Sequence, residues 1–362
     1  MSMQVSYKKQ ILLGILFLII ITFAIEMTLR VYEYLSIPCS IYDNDAFKNL
    51  GYFEKKNICY DTNTLVHGKY PLYEIKPFQY KFTMNINSQG FRGPEISQDE
   101  NIYKIFVTGG STGFGFGSTS DKHTIPGFLQ QLFDNYNKDL NVEVINAGIN
   151  GADSFREILY IKDKLISYNP DMIISYTGVN DSGGYPREIK LDEKISTSEN
   201  FIKFADFPWY RTPFVINNII KENIHDEKFN NLENQEIDIN IAGETFEKNW
   251  SQSCELLREN NIKSIIIIQP ALVTKKSPSI FEEKILEDKY EERWNILEKF
   301  SKISNNLKCD QVLDLRFVLD NVKDTTYYDL VHMNDLGNEK IAEEIYYKIL
   351  PIVKNDLIEK YR

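Results

Sequence analysis

The stretch Val107–Ser118, VTGGSTGFGFGS, decides the fold. An apolar run over residues 102–109 leads into it and a helical pattern near residues 124–137 follows it. Strand, glycine turn and helix in that order form a unit of parallel α/β architecture. Such a turn serves one of two ends: it cradles a phosphate on backbone amides, or it holds up Ser111 at the open rim of a sheet.

Outward from this turn the alternation continues. Candidate strands at residues 142–148, 172–178, 263–270 and 311–316 are short, apolar and rich in β-branched residues, with helical patterns near 154–168, 244–261, 281–304 and 335–349 between or after them. Continuous apolar strands separated by helices predict a parallel sheet covered on both faces. A long insertion, residues 181–243, follows the third strand and carries FADFPWYRTPF. Insertions of this kind fall on functional rims. Phe207, Trp209 and Tyr210 offer either a stacking surface for a substrate or packing for the insertion itself.

With 52 acidic against 41 basic residues the net charge is −11, and lysines are interspersed with acids, so no basic stripe invites nucleic acid. The four cysteines, Cys39, Cys59, Cys254 and Cys309, make no C-x-x-C pair and have no histidine at zinc-ligand spacing, so no metal is expected. Cys39 and Cys59 are candidates for a bridge outside the cytoplasm. Three pairings, and four free thiols, remain open at this level.

After Lys8 and Lys9 comes ILLGILFLIIITFAI, residues 11–25, uncharged throughout. As a helix this run reaches roughly 22 Å, and it needs extension through Met27 and Leu29 to cross a hydrocarbon core of ~30 Å. No A-x-A site follows it, which favours a retained signal anchor over a cleaved signal peptide. The lysines hold the N-terminus in the cytoplasm and send the remainder across. The expected organisation is an anchor over residues 1–31, a stalk and lead-in over 32–100 that includes a strand-like run at 80–87, and a main domain over 101–352.

The phosphate reading has support at short range. TGGSTGFG at 108–115 is similar to the nucleotide-binding turn of short-chain dehydrogenases, INAG at 145–148 resembles a second motif of theirs, and Tyr160 with Lys164 completes a Y-x-x-x-K. Spacing argues against it, because Tyr160 follows Ser111 by only 49 residues and falls on the second helix pattern. The acid that should follow the second strand to hold a ribose is replaced by Asn146 and Gly148, and no Gly-Lys-Ser/Thr is present. No nucleotide cofactor is expected.

The serine reading requires a base, since a hydroxyl is a weak nucleophile until its proton is taken. His67 precedes the domain, His225 lies in the insertion and His123 precedes a helix; these read as surface or capping residues. His332, in YYDLVHMND, falls between the last strand and the last helix, with Asp329 three residues earlier. That spacing lets the carboxylate turn back onto Nδ1 and orient the ring. The plain alternative is a helix start with Asp335 as its cap. Donors for an oxyanion are the Ser111 N–H, the Gly148 N–H and the Asn180 side-chain amide, on the loops after the first three strands.

GGSTG around Ser111, NAGING around Gly148, GVND around Asn180 and DLVH at 329–332 are similar, in order, to the four blocks of the SGNH (GDSL-like) hydrolase superfamily. The GGST form in place of GDS resembles membrane-anchored bacterial members, as does the lead-in NSQGFRGPE. The resemblance spans residues from about 85 to 350. It implies a three-layer α/β/α fold around a five-stranded parallel sheet, a triad of Ser111, Asp329 and His332, and an oxyanion hole of Ser111, Gly148 and Asn180, with no cofactor. The activity expected is ester hydrolysis through an acyl-enzyme, on small acyl groups of envelope glycans or on lipids. Acyl transfer to a sugar, and a silent polysaccharide-binding domain, are the alternatives.

Overall fold

The computed structural model describes residues 6–68, 72–99, 101–183, 186–191, 210–222, 238–286 and 291–360. The chain forms two compact units, one of Met1–Pro38 with Ile202–Gln235 and one of Cys39–Phe201 with Glu236–Arg362.

In the first unit, helix α1 (Tyr7–Ser36) runs unbroken for 30 residues. That is about 45 Å of helix, so the span does not stop at the apolar run of residues 11–25. Its leucines and isoleucines from Ile11 to Ile25 are exposed, and it is long and apolar enough to cross a membrane. Within the same unit Glu26 accepts hydrogen bonds from the N–H groups of Arg211 and Thr212, both at 2.9 Å, and Glu33 takes the Arg211 guanidinium at 2.6 Å. Phe207 and Trp209 lie outside the described residues.

The second unit begins with α2 (Tyr52–Asn63) and a two-residue hairpin, β1 (Gln79–Tyr80) with β2 (Asn85–Ile86), where the sequence suggested one longer strand. Then β3 (Tyr103–Gly109), α3 (Ser111–Phe114), α4 (Ile125–Tyr136), β4 (Val142–Asn146), α5 (Ser154–Asp163) and β5 (Met172–Thr177) follow. Helix α6 (Thr212–Glu222) belongs to the first unit. The second unit resumes with α7 (Ile239–Glu259), β6 (Lys263–Ile268), α8 (Ile280–Leu286), α9 (Glu291–Ser304), β7 (Gln311–Asp314) and α10 (Asp335–Lys360).

The sheet order is β4-β3-β5-β6-β7, every pair parallel. Alternation sorts the strand residues between two cores. Phe106, Ile266 and Ile268 face α5, α7 and α9, among Trp250 and Phe300. Ile105, Val107, Ile265 and Ile267 face α4 and α10, among Phe133 and Ile345. This is the expected three-layer α/β/α sandwich. Because all strands run one way, their carboxyl ends share one rim, and the order reverses at β3, between β4 and β5. Ligands of such sheets bind at that crevice.

The four cysteines pair as Cys39–Cys59 and Cys254–Cys309. Helix α10 continues to Lys360 instead of stopping near 349. Pro351 lies on the solvent side, while Val353 and Leu357 are buried and keep the last turns on the core. The pattern at 281–304 resolves into two helices, α8 and α9.

Candidate active site

β3 delivers Ser111 to the rim through two glycines, and the geometry explains both. Gly109 has φ +151, and a Cβ there would lie 2.6 Å from the Tyr176 carbonyl oxygen on the neighbouring strand. At Gly110 a Cβ would lie 2.1 Å from Asn180 Nδ2. The bare backbone before the serine is what allows the Asn180 amide to approach.

Ser111 Oγ donates to His332 Nε2 at 2.7 Å, and His332 Nδ1 donates to Asp329 Oδ2 at 2.7 Å. A carboxylate only accepts, so the imidazole proton belongs on Nδ1 and Nε2 is left to receive the serine proton. Asp329 Oδ1 accepts the N–H groups of Val331 at 2.9 Å and His332 at 2.7 Å, which fixes the carboxylate on its own loop. Burial pushes the Asp329 carboxyl up. The His332 hydrogen bond and charge with the two backbone donors outweigh that and hold it below the ordinary carboxylate range. The Tyr328 ring stacks on the His332 ring at 5.7 Å, with Phe116 on it at 6.2 Å. Asn334, not Asp335, caps α10, its Oδ1 accepting the Gly337 N–H at 3.1 Å.

Asn180 Nδ2 donates to the Ala152 carbonyl at 2.7 Å. An amide nitrogen has two hydrogens, so one donor remains. Gly148 departs from expectation. Its N–H donates to Asn146 Oδ1 at 3.1 Å, and a Cβ on it would lie 2.3 Å from the Phe114 nitrogen. Its glycine is needed for close packing behind the nucleophile turn, and its N–H is already engaged. Among the described residues, the N–H groups of Ser111 and Gly151 have no protein acceptor.

Several supporting residues carry no motif of their own. Arg92, from the lead-in FRG, is buried and donates to the carbonyls of Phe114 at 3.2 Å, Gly115 at 2.7 Å and Thr83 at 2.9 Å while pairing with Asp121 at 2.8 Å. It satisfies the carbonyls at the end of α3. Gln269 Nε2 donates to Thr112 Oγ1 at 3.1 Å beside the nucleophile. Asp181, next to Asn180, accepts from the Ser154 hydroxyl at 2.5 Å and N–H at 3.0 Å, tying the loop after β5 to the start of α5. Burial and the Asp153 charge push Asp181 up to about 7. Glu157 beneath them is raised well above its ordinary range by burial and by Asp181. The only sequence cue to this acidic layer was the acid of GVND.

Tyr160, the residue on which a dehydrogenase reading would depend, is buried in the core, and Lys164 pairs with Glu74 at 2.9 Å. His67 meets the Tyr73 carbonyl and His123 pairs with Asp335 at 3.0 Å; neither is joined to Ser111. His225 lies outside the described residues. No group of metal-ligating side chains occurs among the described residues. A cavity of about 470 Å³ lies along edge strand β4 beside α4, but Ser111, Asn180, Asp329 and His332 do not line it. The chemistry locates the site better than cavity size does.

No family model matches the chain and no curated relative matches it. Among solved structures, an acetyl xylan esterase (AlAXEase) shares 19% identity over 68% of this chain and 99% of its own, with a TM-score of 0.42. A lipase/acylhydrolase from Enterococcus faecalis shares 14% over 68% and 94%, TM-score 0.41. A two-domain esterase (CEX) active on acetylated mannans shares 14% over 70% and 50%, TM-score 0.41. Likenesses this distant say nothing of what the present chain acts on. Its own sheet order and side-chain geometry gather serine, histidine and aspartate at the carboxyl rim of a five-stranded α/β/α sandwich.

Proposed function

We propose that the protein is a membrane-anchored serine esterase that removes small acyl groups, acetyl foremost, from glycans of the cell envelope. The observation that carries this reading is the unbroken relay from Ser111 through His332 to Asp329, each link 2.7 Å. Ser111 Oγ attacks the ester carbonyl while His332 Nε2 takes its proton. The oxyanion forms among the Ser111 N–H, the free hydrogen of Asn180 and the Gly151 N–H, which replaces that of Gly148. The bond to the alcohol then breaks, and His332 returns the proton to the leaving alkoxide. Water attacks the acyl-enzyme with His332 again as base, which frees the acid and restores the serine.

A location outside the cytoplasm is supported by two disulfides in the catalytic unit and by Lys8 and Lys9 in the first turn of α1, ahead of its apolar run. The test is to offer the detergent-solubilised full-length protein acetylated oligosaccharides and long-chain lipid esters side by side. Release of acetate from the glycans is expected. Cleavage confined to the lipid esters would contradict the substrate assignment.

A further inference from the structure

The loop that carries the triad acid and base is gripped from outside by a short piece of chain that no motif marks. Asn44, Asp45, Ala46 and Phe47 form a 3-10 turn whose cap is Asn44 Oδ1, accepting the Ala46 N–H at 3.0 Å. The other end of the Asn44 amide donates to the Tyr328 carbonyl at 2.9 Å. Asp45 Oδ2 accepts the Thr325 hydroxyl at 2.5 Å, and the Ala46 carbonyl accepts Asn334 Nδ2 at 2.9 Å. Phe47 packs on the Tyr328 ring at 5.1 Å, and that ring stacks on His332. Residues 325, 328 and 334 bracket Asp329 and His332 on both sides.

The turn is itself held rigidly. Cys39–Cys59 closes the loop that contains it, and Lys55 Nζ donates to the Tyr42 carbonyl at 2.7 Å across the same loop. Ile41, Phe47, Ile58 and Cys59 make a small separate core, and Tyr328 of the catalytic loop packs against it. A core of four residues is too small to hold a fixed shape alone, so the bridge supplies the constraint. From inside, the same catalytic loop is held by Glu282, which accepts the N–H groups of Thr326 at 2.9 Å and Tyr327 at 3.0 Å. Between these two supports the His332 ring has one place to be.

We infer that the disulfide-closed segment 39–59 is a positioning element of the esterase site, with Asn44 and Asp45 acting through Tyr328 and Thr325 to hold His332 on Ser111. This rests on the esterase reading above. Neither residue touches substrate; they set the geometry of the base, and a shift of about 1 Å there costs catalysis about a hundredfold.

The experiment uses full-length protein in detergent and four variants: Asn44→Asp, Thr325→Val, Thr325→Ser, and Cys39→Ser with Cys59→Ser. Asn44→Asp keeps the cap acceptor, removes the donor to Tyr328 and sets a carboxylate against the carbonyl it held. Each is assayed for kcat and KM on p-nitrophenyl acetate, for the rate of fluorophosphonate labelling of Ser111, for the pH profile and for Tm. Asn44→Asp, Thr325→Val and the double cysteine variant should lower kcat and the labelling rate roughly 10- to 100-fold with KM unchanged. Thr325→Ser should restore wild-type rates. A Cys254→Ser, Cys309→Ser control should lose Tm and keep kcat. If Asn44→Asp, Thr325→Val and the double cysteine variant lose Tm alone and label at the wild-type rate, the positioning role is refuted. If wild type itself fails to label, the esterase reading falls instead.

Discussion

Gly110→Ala should silence the enzyme while barely touching the fold. At Gly110 φ is −76 and ψ is −153, extended backbone that alanine adopts readily. The added Cβ would fall 2.1 Å from Asn180 Nδ2 and 3.3 Å from the Ala152 carbonyl. The first contact is far inside van der Waals range, and the group that must yield is the end of an asparagine side chain. The cheapest response is for the amide to swing away, giving up its bond to Ala152 and its place over the oxyanion. Loss of one such donor costs about 100- to 1000-fold in kcat, or about 2.7–4 kcal/mol. Stability should move little, because replacing glycine at compatible angles gains about 0.4–1 kcal/mol from the unfolded chain, against one lost hydrogen bond of about 1 kcal/mol. The assay is a cycle on p-nitrophenyl acetate with Gly110→Ala, Asn180→Ala and the double variant. The singles should match and the double should be no worse than either. A Gly110→Ala enzyme with wild-type kcat, or a double variant whose losses multiply, would refute the claim that this glycine exists to admit Asn180.

Three further outcomes follow from the same geometry. Arg92→Met removes the cation that pairs with Asp121 and the side-chain donor of the Thr83 carbonyl, while the Phe114 and Gly115 carbonyls keep Asn146 Nδ2 and the Ser118 N–H; a loss of about 3 kcal/mol should appear in denaturant unfolding, with slower labelling of Ser111. Asp181, raised to about 7, contributes stability that is present in full below the ordinary carboxylate range and lost as pH rises through about 7. Asp181→Asn should therefore flatten the fall in Tm between about pH 4 and pH 7. The Cys254–Cys309 bridge closes a span of 55 residues, worth up to about 4 kcal/mol by chain entropy, so replacing both cysteines should lower Tm clearly.

The sheet was legible in the sequence because its central strands β3, β5 and β6 are buried on both faces. Continuous isoleucine and valine runs leave no second reading, and the strand starts at 142, 172, 263 and 311 coincide with those observed. Ser111, Asp329 and His332 were legible for a chemical reason: a rim serine needs a base, and one histidine stood at the matching end of the chain. Gly148 misled because a glycine after a strand looks the same whether it offers its N–H or merely makes room. Only the Asn146 side chain, folded back onto that N–H, separates the two. Arg92 and the segment from Cys39 to Cys59 were illegible for another reason. Their partners lie 9 to 288 residues away, and such contacts leave no periodic trace.

The central claim is that Ser111 is an activated nucleophile. Folded full-length protein in detergent would be exposed to a fluorophosphonate, and the modified residue mapped by mass spectrometry. The account predicts a one-to-one adduct on Ser111 with loss of fluoride, and none in His332→Ala. An unmodified Ser111 in the folded wild-type protein, or an adduct that persists without His332, would contradict it.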